Sequence, residues 1–188
     1  MDEAHLVEQA RAGDQQAFAE LFHRYLTAAW RVAYTITGDS HAADDAVQEA
    51  FIIAYHRLGN VAPGARFGPW FHAIAANCAR RQARRAVWKR WLPLLAADSV
   101  ADAAARESLD AAETRGEVWE AVRRLPVDLR VVVALRYVLD MSEVDMAAAL
   151  GLPAGTIKSR LHRARRLLQE WLGAEPKEEG LPCTIPTK

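Results

Sequence analysis

The stretch MSEVDMAAALGLPAGTIKSRLHRARRLLQEWL, residues 141–172, decides the fold. It reads as two helices joined by a tight turn. Ser142 can cap the first helix through its hydroxyl, and Asp145, three residues on, supplies the acidic partner of a capping box. That helix is short and ends at Leu150, because Gly151 stands where a left-handed turn residue is expected. Pro153 marks the start of the second helix, a place where the missing N–H costs nothing. There Ile157, Leu161, Ala164, Leu168 and Trp171 recur at spacings of four and three and share one face. Lys158, Ser159, His162, Arg163, Arg165 and Arg166 fall mainly on the opposite face, with no carboxylate before Glu170. An amphipathic helix with a solvated basic face is the bland reading. The helix-turn-helix spacing favours a sharper one, since it sets the second helix where a major groove can receive it.

Working outward, composition bounds the rest. The chain has 188 residues, 51% hydrophobic and 26% charged, which is globular and leaves room for one ordinary domain or two small ones. Formal net charge is zero, so any affinity for nucleic acid must come from local segregation of charge. That segregation is present: 80–90 holds six Lys or Arg and no acid, whereas 98–120 holds seven acids against Arg106 and Arg115. Two cysteines, Cys78 and Cys183, are too few for a disulfide framework or a thiolate zinc site. The acidic, amphipathic N-terminus does not read as a signal peptide, and no apolar run is long enough to span a bilayer. A soluble cytoplasmic protein without membrane insertion is expected.

Upstream, the pattern is helical throughout. A short helix over Leu6 to Ala10 precedes one capped by Asp14, in which Phe18, Leu21, Phe22, Tyr25, Leu26, Ala29, Trp30, Ala33 and Tyr34 form a wide core-facing stripe. Asp39 or Ser40 caps the next helix. Its Ala43, Val47, Ala50, Phe51, Ala54 and Leu58 point inward, while Asp44, Asp45, Gln48 and Glu49 form an outward acidic and amide patch. The Asp44–Asp45 pair invites a metal reading, but Gln48 stands where a third carboxylate is needed, so no metal is expected. The glycine-rich stretch 59–68 must be a loop. From Pro69 a helix carries Trp70, Ile74, Asn77 and Cys78 into ARRQARRAVWKRW, where Trp88 and Trp91 lie among arginines in the manner of single-strand binders. Residues 94–115 read as an acidic linker, partly helical at most. A helix over 117–125 stops at Pro126, and the Val-rich 128–139 fits a helical period better than a strand. The tail after Leu172 has no periodicity and is predicted to be disordered.

Four segments in this order, DDAVQEAF (44–51), PWFHAIAANCARRQARR (69–85), LPVDLRVVVALRYVLDMS (125–142) and ALGLPAGTIKSRLHRARR (149–166), resemble the sigma-70 family of bacterial initiation factors. The resemblance is to the compact extracytoplasmic-function (ECF) sigma factors that keep only regions 2 and 4. It implies an all-α chain of two small helical domains: a region 2 bundle over 1–92, an acidic linker over 93–115, a region 4 helix-turn-helix over 116–173, and the tail 174–188. It implies a non-enzymatic protein without catalytic residues or cofactors. Asp44, Asp45, Gln48 and Glu49 would dock on the β′ clamp helices of core RNA polymerase, with the β flap as a second contact. Asn60 and Arg66 in the loop, with Asn77, Arg80, Arg81, Arg84 and Arg85, would capture and hold the melted −10 element. Arg136, Tyr137, Thr156, Lys158, Ser159, His162, Arg163 and Arg165 would serve the −35 element as base or phosphate contacts. The linker resembles the segment that threads the RNA exit path, and an anti-sigma protein covering both domains is the implied regulator. Two positions depart from the family pattern: Arg81 stands where an Asp is usual, and Glu143 where an aromatic is frequent.

Two other functions compete. A stand-alone regulator with a helical sensing domain would bind DNA without polymerase, but it leaves the Asp44 to Glu49 patch unexplained. An enzyme built on His5, His23, His41, His56, His72 or His162 fails on their dispersion, since no two stand at ligand or triad spacing.

Overall fold

The computed structural model describes residues 2–60, 67–91 and 109–173, with side chains omitted at 60, 88–91 and 109–115. Every regular element within them is helical: α1 (Glu3–Arg11), α2 (Gln15–Thr37), α3 (Ser40–Arg57), a 3-10 turn (Leu58–Asn60), α4 (Phe67–Trp91), α5 (Leu109–Arg124), α6 (Val127–Tyr137), α7 (Glu143–Leu150) and α8 (Ala154–Leu172). None of these helices is long and apolar enough to cross a membrane.

Local chemistry sets the boundaries. The Asp14 carboxylate accepts from the backbone N–H groups of Gln16 and Ala17, at 2.8 and 3.2 Å, and opens α2. Asp39, not Ser40, caps α3 by accepting from Ala42 N–H at 2.7 Å. Gly38 ends α2 in the left-handed region, φ 71°, and a Cβ there would also meet Arg123 Nε at 3.1 Å. α4 begins at Phe67, two residues before Pro69, whose missing N–H is tolerated in the first turn. The Glu3 carboxylate fixes this start: Oε1 accepts from Phe67 N–H at 3.1 Å and Oε2 from the Tyr25 hydroxyl. α5 begins at Leu109, so its first turns fall inside the stretch read as linker. That stretch is Ala-rich, and alanine's helix propensity outweighs the shortage of large apolar residues there. Residues 61–66, 92–108 and 174–188, which hold most of the predicted loop, the remainder of the linker and the tail, lie outside the described residues.

The core of the N-terminal half is aromatic. Phe51 and Phe71 sit 4.3 Å apart, Phe22 lies 4.2 Å from Phe51, and Phe67 stacks on Phe71 at 5.7 Å. The expected inward positions Ala43, Val47, Ala50, Phe51 and Ala54 on α3 are buried, as is Leu58 in the 3-10 turn that follows it. In the C-terminal half, Ala164 joins Leu125, Leu129 and Val133, with Leu167, Leu168 and Trp171 packed around them. The two halves meet. α6 packs on α2 and α4, α7 packs on α4, and one continuous apolar cluster runs from Leu6 through Phe71 to Ile157 and Leu161. Among the described residues, two buried side-chain polar atoms lack a partner: Nε2 of His72 and Nε of Arg130.

Candidate nucleic-acid interface

The helix-turn-helix is built as its residues dictate. The Ser142 hydroxyl oxygen accepts from Asp145 N–H at 3.1 Å. The reciprocal half of the cap differs from the expected one: the Asp145 carboxylate takes the Ser142 hydroxyl proton at 2.7 Å instead of a backbone N–H. Gly151 turns the chain at φ 62°, and Pro153 is the N-cap of α8. Burying Ile157, Leu161 and Ala164 leaves Lys158, Ser159, His162, Arg163 and Arg165 exposed and Thr156 half-buried. The Ser159 hydroxyl donates to the Thr156 carbonyl at 3.0 Å, so the turn of α8 that would enter a groove first is internally bonded.

Three of the eight predicted −35 residues, Arg136, Tyr137 and Arg165, are tied into the scaffold. Arg136 Nη1 donates to the Met141 carbonyl at 2.9 Å and lies 3.6 Å from Asp140, which locks the bend between α6 and α7. Arg165 Nε donates to the Tyr137 hydroxyl at 2.9 Å and joins α8 to the end of α6. These contacts orient α8 on the scaffold.

On α3, Asp44, Asp45 and Gln48 are exposed and Glu49 is half-buried. Asp44 Oδ1 accepts from the Trp30 indole N–H at 2.7 Å, and Glu49 Oε1 accepts from Arg81 Nη2 at 2.9 Å. The same Arg81 nitrogen lies 3.2 Å from Cys78 Sγ, a thiol whose pKa burial raises. On α4, Asn77 Nδ2 donates to the Ala73 carbonyl at 2.9 Å; Arg81, Arg84 and Arg85 are exposed and Arg80 is half-buried. Arg84 Nη2 reaches both carboxylate oxygens of Asp128 on α6, at 2.9 and 2.8 Å. Asn60 closes the 3-10 turn, and Arg66 lies outside the described residues. Three partners escaped sequence reasoning: Trp30, Asp128, and Trp119, whose ring meets Tyr34 edge-on at 5.5 Å. Nothing in local spacing could have revealed them, because each pairs residues from different helices. Among the described residues no three His, Cys, Asp or Glu come together to hold a metal.

Residues 21–89 match the family Sigma-70 region 2, and residues 115–168 match Sigma-70, region 4. The ECF RNA polymerase sigma factor SigM of Mycobacterium tuberculosis (strain ATCC 25618 / H37Rv) is 36% identical over 171 residues, covering 91% of this chain and 85% of that protein. The chain belongs to the ECF sigma factors. Two solved structures superpose on it with TM-scores of 0.68. One is CnrH in complex with the cytosolic domain of CnrY, at 27% identity, covering 93% of this chain and 99% of CnrH. The other is the sigma factor RpoE in complex with the anti-sigma factor NepR from Bartonella quintana, at 28% identity, covering 85% and 98%. The region 2 match holds the acidic α3 face and basic α4, and the region 4 match holds the helix-turn-helix.

Proposed function

We propose that this chain works in the cytoplasm as a promoter-specificity subunit that binds core RNA polymerase, reads a −35 element with α8 and opens the −10 element with α4, without catalysing a reaction itself. The observation that carries this reading is the division of chemistry between helices: an exposed carboxylate and amide face on α3, an arginine-rich α4, and a basic α8 projecting from a helix-turn-helix.

Each face suits its partner. Asp45 and Gln48, flanked by Asp44 and Glu49, offer acceptors on a rigid helix to arginines of the β′ clamp helices. On α8, Lys158 and Arg163 can approach guanine edges or nearby phosphates, and Ser159 and His162 supply shorter donors between them. Strand opening needs no nucleotide hydrolysis, because contacts to a flipped base from Asn60 and Arg66, and to its backbone from Asn77, Arg80, Arg84 and Arg85, offset an unpairing cost of a few kcal/mol. Arg81 lies beside this set, and its pairing with Glu49 leaves it a weaker strand contact than its neighbours. An anti-sigma protein is the expected regulator, since the similar sigma factor RpoE of Bartonella quintana was solved in complex with one.

The test is run-off transcription with core polymerase and a pool of promoter fragments. Transcripts from a defined subset of start sites are expected. A chain that binds duplex DNA alone and adds no start site to core polymerase would instead be a stand-alone regulator.

A further inference from the structure

We propose that α1 is a positioning element of the −10 reader: the Glu3 carboxylate holds the Arg66–Phe67 peptide and the first turn of α4 in the place from which −10 bases are discriminated. The inference rests on the reading of Asn60, Arg66 and α4 as the strand-opening set, and Glu3 acts through them without touching DNA.

Three observations converge. First, one side chain near the start of the sequence serves both α2 and α4. Glu3 Oε1 accepts from Phe67 N–H at 3.1 Å, across 64 residues of chain, and Oε2 accepts from the Tyr25 hydroxyl. That N–H belongs to the peptide Phe67 shares with Arg66, and it is among the first N–H groups of α4, which no helical carbonyl can take. The positive end of the helix dipole favours a carboxylate there as well. Second, Tyr25 is seated against the same turn. Its ring lies 5.3 Å from Phe67 and edge-on to His72 at 5.5 Å, and a Cβ on Gly68 would come within 2.9 Å of it. So close an approach leaves the turn no room to slide toward α2. Third, α1 also packs on the 3-10 turn Leu58–Asn60, whose Leu58 is buried in the apolar cluster. The segment 61–66 therefore departs from and returns to points that α1 holds.

Adhesion of α1 does not need this carboxylate, because Leu6, Val7 and Ala10 are buried beneath the helix. Two hydrogen bonds to a charged, half-buried acceptor add direction to that adhesion. A carboxylate suits the task, since it presents two acceptor oxygens to two donors. An amide of the same shape offers one acceptor and turns N–H donors toward the other partner. α4 runs as one helix from Phe67 to Trp91, so a displacement of its first turn is passed on to Asn77 and Arg80.

The test uses holoenzyme assembled from core RNA polymerase and the full chain, on promoter fragments from which the intact protein starts transcription. Each fragment competes in one tube with a version carrying a single base change in the −10 element or, separately, in the −35 element. The transcript ratio cancels the amount of active holoenzyme, so a variant that merely folds less well lowers both transcripts and leaves the ratio alone. Glu3→Gln is compared with Glu8→Gln, which removes the same charge from an exposed site on α1, and with Val32→Ala, which weakens the buried core of α2 about two turns beyond Tyr25. Glu3→Gln should reduce −10 discrimination about three- to tenfold, a part of what one base pair supplies, and leave −35 discrimination unchanged. Tyr25→Phe, which keeps the ring and drops the hydroxyl, should move the −10 ratio the same way by less. Both controls should match the parent. A −10 ratio unmoved in Glu3→Gln, moved equally by Val32→Ala, or accompanied by an equal change at −35 would overturn the proposal. An intact chain that adds no start site to core polymerase removes the sigma reading and this inference with it, whereas defined start sites with an unmoved −10 ratio remove only the inference.

Discussion

Arg81 of α4 and Glu49 of α3 pair at 2.9 Å, which joins the arginine-rich helix to the acidic face of α3. The pairing accounts for an arginine at this position: a carboxylate there would face Glu49 and repel it. The pair is 44% and 38% exposed, so it aligns two helices more than it stabilises them. Denaturant unfolding of Arg81→Ala and Glu49→Ala should show losses below ~1 kcal/mol each, with the double variant no worse than the poorer single. A coupling of several kcal/mol would mean that the pair is far less solvated than its exposure shows.

His72 gives the protein an acid-sensitive core. Burial beside Tyr25 and Phe71 lowers its pKa from 6.5 to about 4, and its Nε2 has no partner to welcome a proton. The folded pKa lies below the unfolded one, so the unfolded chain takes the proton first as pH falls. Stability contributed by neutral His72 is therefore complete above about pH 6.5 and is lost down to about pH 4. The loss amounts to roughly 3 kcal/mol over that window. Thermal unfolding of His72→Leu should show a shallower decline between these pH values than the parent. An identical pH profile in both would assign the acid sensitivity to other groups.

The parts legible in the sequence are those fixed by neighbours along the chain. The stripe Ile157, Leu161, Ala164 follows from helical period alone, Gly151 from the need for positive φ, and the caps Asp14, Asp39 and Ser142 from side chains within three residues of the N–H groups they bond. The helical choice for Val-rich α6 follows in the same way. What stayed hidden depends on tertiary packing. Asp128 reads as an acidic residue in the first turn of α6, and only the approach of α4 makes it the partner of Arg84. Asp44 reads as solvent-facing until α2 brings Trp30 to it. The packing of α6 and α7 on α2 and α4 was likewise not legible, because an apolar residue such as Val132 or Met146 shows in its period that it is buried but not against which helix.

Arg130 is the converse of an ion pair. It is 8% exposed, its Nε is unpartnered, and burial, followed by the nearby Arg123 charge, works against its protonated form. Replacing it with Met keeps the aliphatic stem and removes the desolvated charge. Arg130→Met should raise stability by about 1 kcal/mol, a gain of ~2–4 °C in the unfolding midpoint for a chain of this size. A fall of similar size would indicate that water satisfies the guanidinium.

Gly68 is set by contact and Gly38 by both contact and backbone. A Cβ at Gly68 would stand 2.9 Å from the Tyr25 ring, and one at Gly38 would add a left-handed strain to its approach to Arg123. Gly68→Ala should displace Tyr25 from Glu3 and loosen the start of α4, at a cost of about 1–3 kcal/mol. Gly38→Ala should cost about 1 kcal/mol through backbone strain, more where Arg123 cannot yield. Chemical denaturation of both variants checks the order.

Parallel assays of two variants test most directly whether one face binds polymerase and another selects the promoter. Fluorescently labelled Asp45→Arg and Arg163→Ala proteins are titrated with core RNA polymerase, and start-site selection is then read from a promoter pool. Asp45→Arg should bind core polymerase at least about tenfold more weakly, a loss of ~1.4 kcal/mol. Arg163→Ala should bind it like the parent but tolerate base changes in the −35 element that the parent rejects, at about 1–3 kcal/mol per lost contact. Loss of polymerase binding in Arg163→Ala, or undiminished binding in Asp45→Arg, would contradict the account.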